Sequence, residues 1–272
     1  LSIKLPDFKL PYVFAVEGGE ELKNSANQPL IVAGIDKETV ERGDYVVKLN
    51  ASERMHKESR MRVLIAVFMA IELGISVVMP AVIEVTDNFV ETLRGKAYYV
   101  KASKSLGYNV GSEYEKSHFI LDNQITLSNE LEKLGQHIFA FDVFIENVDR
   151  NHAKPNMITN GKNLVLLDHE LAFGYATTPA FLRNPTPWVF SDGDRGWMTK
   201  HCLYQRLKGK IGEVDAFKER MVTLDGSFWD KARTLIPQEW FVGELFDGIV
   251  ARSTSLIAHK DEWINEIKQL LA

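Results

Sequence analysis

Along the first fifty positions, apolar residues alternate with polar ones or cluster as β-branched runs; later the apolar spacing becomes helical. Tyr12 to Val16 alternates loosely and predicts a strand stopped by Gly18-Gly19, and Pro29 to Ala33 predicts a second. Tyr45 to Leu49 gathers aromatic and β-branched residues and predicts a third, so that three antiparallel strands make a small sheet. Leu64, Val67, Phe68 and Ile71 share one face over residues 58–73, which predicts a helix ended by Gly74. Ser76 to Val85 reads as a strand interrupted by Pro80, Tyr98 to Lys101 as a short strand, and residues 103–117 as a loop around Gly107 and Gly111.

Leu131, Leu134, Ile138 and Phe141 recur at helical spacing and predict a long helix from Leu127 to Ile145, with Phe139, Phe141 and Phe144 as core. A β-like run, Asn163 to Leu167, follows after a polar loop. Ala176 to Pro187 reads as an irregular loop pinned by Trp188 and Phe190, and residues 192–196 as a turn. Helices are predicted over 197–207, 213–223, 227–235 and 238–270, the last split near His259.

Composition narrows the class without naming a function. The chain has 272 residues, enough for one large domain or two small lobes with a real core. A formal net charge of -5 carries no basic excess, so no direct nucleic-acid footprint is expected. The most apolar run, Val63 to Val85, is broken by Glu72, Pro80 and Glu84, too interrupted for a membrane span. The single Cys202 cannot form an internal disulfide; an unpaired thiol and an N-terminus without signal-peptide form lead to a cytoplasmic expectation.

The chemistry concentrates between the long helix and the segment after the β-run. Asp149, Arg150, His152 and Asn156 occupy a short polar loop, and Asp168 stands at the end of the run. Two carboxylates and an amide around a hairpin are the hard-oxygen equipment of a magnesium phosphate site. A carboxylate is also the group that receives or orients a hydroxyl proton in phosphoryl transfer. The same residue types build solvent-exposed turns and helix caps. Lys48, on its strand, reads by itself as a solvent-facing lysine.

The pattern N-x-D-R-N…N followed by L-L-D-H-E resembles the catalytic and metal-binding segments of the HipA-like kinases, atypical kinases of protein-kinase-like fold. The resemblance implies an α+β, two-lobed architecture: a small antiparallel N-lobe over residues 1–100 and a mostly helical C-lobe over 101–272. It makes Asp149 the catalytic-loop Asp, Asn156 a metal-binding Asn and Asp168 the metal-binding Asp that opens the activation segment. Relatives place the Asn five residues after the Asp, where Lys154 stands here, so the loop reads as carrying a two-residue insertion. Lys154 becomes a catalytic-loop lysine able to neutralise transition-state charge. YVVK resembles the strand-borne motif whose lysine, here Lys48, grips the α- and β-phosphates of ATP. Its acidic partner is expected where Val63 stands; Glu58 and Glu72 are the nearest acids, and Glu58 is the better placed.

Gly18 and Gly19 suit either close approach to the nucleotide phosphates or a hairpin turn. The polar stretch from Glu20 to Gln28 reads as a loop over the nucleotide. Arg150 either contacts phosphate or braces the loop through a second carboxylate, the safer assignment, and His152 reads as a turn residue before an acid-base group. Glu170 either helps the metal or caps the next element. Lys48, Arg150 and Lys154 together would make the site locally basic. The implied function is ATP- and magnesium-dependent phosphoryl transfer to a protein serine or threonine, on a partner protein or on the chain itself. Ser25, Thr177, Thr178 and Thr186 are the available hydroxyls. A small-molecule kinase, a non-catalytic nucleotide-binding module, and a metal hydrolase using Asp149, His152 and Asp168 remain as alternatives.

Overall fold

The computed structural model describes residues 1–22, 28–122 and 124–272; Ser25, one of the candidate hydroxyls, lies outside them. The fold mixes helices and strands and divides into two compact units. One comprises Pro6–Arg60 and Val78–Lys116; the other comprises Leu1–Leu5, Met61–Val77 and Ser117–Ala272. The boundary between them crosses the chain inside the first helix, α1 (Lys57–Glu72), again between Val77 and Val78, and again after Lys116.

The smaller unit is a closed five-stranded barrel of β1 (Tyr12–Glu21), β2 (Leu30–Asp36), β3 (Arg42–Lys48), β4 (Pro80–Val85) and β5 (Gly107–Glu113), in the order β1-β2-β3-β5-β4. The expected antiparallel pairs β1–β2 and β2–β3 are present. Closure is not antiparallel throughout, because β1 pairs with β4 in parallel, Tyr12 facing Val82. Alternation sends Val13, Ala15, Leu30, Val32, Tyr45, Val47, Ala81, Ile83 and Val85 inward, where they pack with Phe89 and Val90 of α2 (Asp87–Glu91) and with Ala102 of α3 (Tyr99–Ser103).

Three local expectations are corrected in this unit. Gly18-Gly19 does not stop β1, which runs on to Glu21 with two register shifts. At Gly18 a Cβ would collide with Leu93 Cδ2, so the missing side chain lets that residue pack on the strand. Tyr98 to Lys101 enters a short helix rather than a strand, with Tyr98 donating its hydroxyl to Gly19 O at 2.6 Å. Residues 107–113 are not loop but the strand that joins β3 to β4.

In the larger unit, α4 (Asn129–Phe144) starts at a Ser128 cap that accepts from Leu131 N–H. Phe139, Phe141 and Phe144 are buried along it, as the spacing predicts. Strands β6 (Phe119–Ile120), β7 (Met157–Thr159) and β8 (Leu164–Leu166) form a second small sheet. A single turn, α5 (Gly174–Thr177), follows it. Residues 192–196 are not a turn: Ser191 and Asp194 form a reciprocal capping box and start α6 (Asp192–Met198). Helices α7 (Tyr204–Leu207), α8 (Val214–Met221), α9 (Gly226–Leu235), α10 (Gly243–Ala258) and α11 (Lys260–Leu271) complete the unit. Phe144 of α4 meets Trp263 of α11 at 5.7 Å and Phe217 of α8 at 6.4 Å, edge to face. The C-terminal split falls at His259, between α10 and α11, and Trp188 stacks on that His259 ring at 3.6 Å. Among the described residues, no helix is long and apolar enough to cross a membrane.

Candidate active site

The hairpin β7–β8 brings two of the proposed ligands to one end. Met157 pairs with Leu166, and beyond that pair Leu167 N–H donates to Asn156 O at 2.9 Å. Asn156 and Asp168 therefore leave the paired region side by side in the two chain directions. Both have left-handed backbone, with φ of 43° and 52°. Asn and Asp are the side-chain-bearing residues that tolerate this region best, which ties the residue type to the place. Asp168 also receives a weak contact at 3.4 Å from Glu170 N–H, so its carboxylate caps the turn that follows.

Asp149 lies on the loop between α4 and the hairpin, with Lys154 Nζ at 3.9 Å from its Oδ2. The Asp149 side chain is 19% exposed and that of Lys154 40%, so this pair meets solvent. Asn151 shapes the loop by accepting from Ala153 and Lys154 N–H at 3.0 and 3.1 Å. His152 is exposed on the same turn.

Arg150 braces the loop. It is 1% exposed and its Nε donates to Asp142 Oδ2 at 2.5 Å. Its Nη1 donates to Leu167 O at 3.2 Å, to Pro155 O at 3.3 Å and to Asn156 O. One buried guanidinium thus grips both backbone approaches to Asn156 and Asp168. Its charge is matched by Asp142, so it adds no local basic field, contrary to the expectation that grouped it with Lys48 and Lys154.

Asp142 is the residue that the motif does not reveal. It is fully buried on α4 and accepts from Asn147 Nδ2 at 2.9 Å, from Arg150 Nε and from His201 Nε2 at 3.0 Å. Burial alone would raise its carboxyl; the Arg150 charge and the His201 hydrogen bond outweigh it and hold the group down at about 2. The available signal is a lone carboxylate within the apolar run FAFDVF. A second, partly buried contact fixes the chain after Asp168. Glu146 pairs with Arg252 and accepts from Tyr175 N–H at 3.0 Å, while the Arg252 guanidinium lies 4.3 Å over the Tyr175 ring.

Lys48 belongs to the barrel unit. It ends β3, partly buried, on the face opposite Val47 and in register with Val110. The next residues are held firmly: the fully buried Asn109 accepts from Asn50 N–H at 2.7 Å and donates to Ser105 O at 2.8 Å. Of the two candidate acids, Glu72 is engaged by Lys4 at 3.3 Å and by Ser2, and Glu58 is exposed in the first turn of α1. Gly18 is buried and Gly19 exposed on β1.

The donor chemistry at the hairpin end, one amide oxygen and one carboxylate, fits a divalent cation with oxygen ligands. Among the described residues, no group of three His, Cys, Asp or Glu side chains is placed to hold a metal ion. No curated protein matches the chain. A comparison with protein families matches residues 23–247 to the HipA-like kinase family, a span that holds β2 to β5, the Asp149 loop and the Asp168 hairpin. The chain belongs to the HipA-like kinases.

Proposed function

We propose that this kinase transfers the γ-phosphoryl group of ATP, with magnesium, to a hydroxyl of a protein, in a two-lobed architecture of protein-kinase type. The observation that carries the reading is the hairpin end: Asn156 and Asp168 emerge together, and the Arg150 clamp holds both approaches to them. Bound magnesium ATP supplies the phosphoryl group and the cation that neutralises its oxygens. The chain's own contribution is positioning and charge. Asp149, on a loop fixed at both ends, orients the acceptor hydroxyl and takes its proton. The oxygens of Asn156 and Asp168 hold the cation. Lys154, close to Asp149, balances charge on the transferred group. Lys48 grips the α- and β-phosphates, and Gly19, exposed on β1, leaves the backbone open to close approach.

Three proteins test this. Wild type should melt at a higher temperature with ATP and magnesium together than with either alone, because ligand bound to the folded state raises its stability. Asp149→Asn should keep that rise and lose phosphoryl transfer. Asp168→Asn should lose most of both. A wild type with no nucleotide-dependent rise at millimolar ATP and magnesium defeats the proposal. A wild type that binds but never transfers leaves a nucleotide-binding module.

A further inference from the structure

Behind the solvent-facing carboxylate of Asp149, buried side chains of the larger unit form one closed network. Arg150 Nη2 stands 3.2 Å from His169 Nε2, and His201 Nε2 stands 3.0 Å from Asp142 Oδ2. The hydrogen positions follow from the partners. Leu203 N–H donates to His201 Nδ1 at 3.1 Å, so that nitrogen accepts and the ring proton sits on Nε2, directed at Asp142. Arg150 can only donate, so His169 Nε2 accepts from it. Asn147, Arg150 and His201 then all donate to the Asp142 carboxylate. The backbone closes the same circuit, since Cys202 N–H donates to Arg150 O at 3.1 Å and Asn151 bridges His201.

We infer that His201 and Asp142 are positioning residues for the metal ligands Asn156 and Asp168, acting through Arg150. This rests on the phosphotransfer reading for what the two ligands hold. His201 and Asn147 fix the Asp142 carboxylate; the carboxylate fixes the roll and depth of the guanidinium. The guanidinium in turn sets the spacing between Asn156 O and Leu167 O, one residue from Asp168. A planar fork with several fixed donors can hold two carbonyls at a set distance, which a point charge cannot. His201 lies on the segment between α6 and α7, so the chain beyond the activation segment bears on the ligand spacing. Groups in such outer positions change metal affinity by about 10- to 100-fold when removed.

The test compares His201→Asn with His201→Gln. The Asn side chain can still accept from Leu203 N–H but cannot reach Asp142; the Gln amide can donate where Nε2 did. The readouts are the dissociation constant of the manganese(II)–ADP complex, followed by water-proton relaxation, and hydrogen exchange of peptides spanning residues 155–170. His201→Asn should bind the complex about tenfold more weakly and exchange faster in that span, while His201→Gln returns both close to wild type. Arg150→Lys, which keeps the charge opposite Asp142 and loses the fork, should also weaken binding and guards against a misfolded His201 variant. Wild-type affinity in His201→Asn or Arg150→Lys overturns the inference, as does a Gln variant no better than Asn. A wild type that fails to bind the complex defeats the phosphotransfer reading itself and this inference with it, and is told apart because wild type alone shows it.

Discussion

A buried carboxylate that stays ionised needs matched donors around it, and Asp142 has them. Its folded value of about 2 lies below the ordinary 3.8, although burial acts in the opposite direction. The sign follows: a depressed acid contributes stability that is complete above the unfolded value and is lost as pH falls through the folded one. The window here runs from about 3.8 down to about 2. The contribution at stake is about 2 kcal/mol. Other carboxylates, Asp225 among them, titrate over the same window, so the measurement is a difference. Urea unfolding across acid pH should show a steeper loss for wild type than for Asp142→Asn. That variant starts lower, because it leaves the Arg150 charge buried without its partner. Parallel pH profiles would mean that Asp142 is not the titrating group. At this scale the sequence is readable where residues act on near neighbours. Arg150 stands beside Asp149, and the brace through a second carboxylate follows from its length and charge. His201 is not readable, since it meets Asp142 across 59 residues and no local pattern marks it.

Elements are legible where side-chain spacing decides them and illegible where packing space does. β3 follows from YVVK, and α1 and α4 from their apolar faces. β5 reads as loop from sequence because Gly107 and Gly111 are turn formers. The structure gives another reason for Gly111: a Cβ there would stand 2.6 Å from Val46 O and 2.6 Å from Ile83 Cγ1. β5 must approach β3 and β4 closely to close the barrel, and only a residue without a side chain permits it. Gly111→Ala should therefore destabilise the protein by about 1–3 kcal/mol, since the nearest obstacle is a ladder carbonyl that cannot swing away. Chemical denaturation measures this, and an unchanged midpoint would show that the barrel has slack at that corner. The same logic explains residues 192–196. Asp and Gly suggest a turn, but the first turn of a helix also favours acids, and Ser191 accepts from Asp194 N–H to begin one.

For the whole molecule, the open matter is the acceptor. A net charge of -5 disfavours a strongly acidic acceptor, and the matched Arg150 removes one of three cations that could have offset it locally. Within the chain, the hydroxyls that follow Asp168 differ in access. The Tyr175 hydroxyl is buried, and burial pushes its pKa up, so the ring packs against Arg252 rather than reacting. Thr178 is partly buried and donates to Gly174 O at 3.1 Å. Thr177 is exposed and donates to the same carbonyl at 2.9 Å, at the end of the four-residue helix α5. A single helical turn is weakly cooperative and opens readily, which frees its terminal hydroxyl at little cost. If the chain modifies itself, phosphate should appear on Thr177 ahead of Thr178 and never on Tyr175. Peptide mass spectrometry after incubation with ATP and magnesium reads this directly, with Asp149→Asn as the control that should stay unmodified. Phosphate confined to Ser25 would move the acceptor to the stretch between β1 and β2. Phosphate found only on an added small molecule, with the protein unmodified, would replace the protein acceptor by a small-molecule alcohol while leaving the roles of Asp149, Asn156 and Asp168 as proposed.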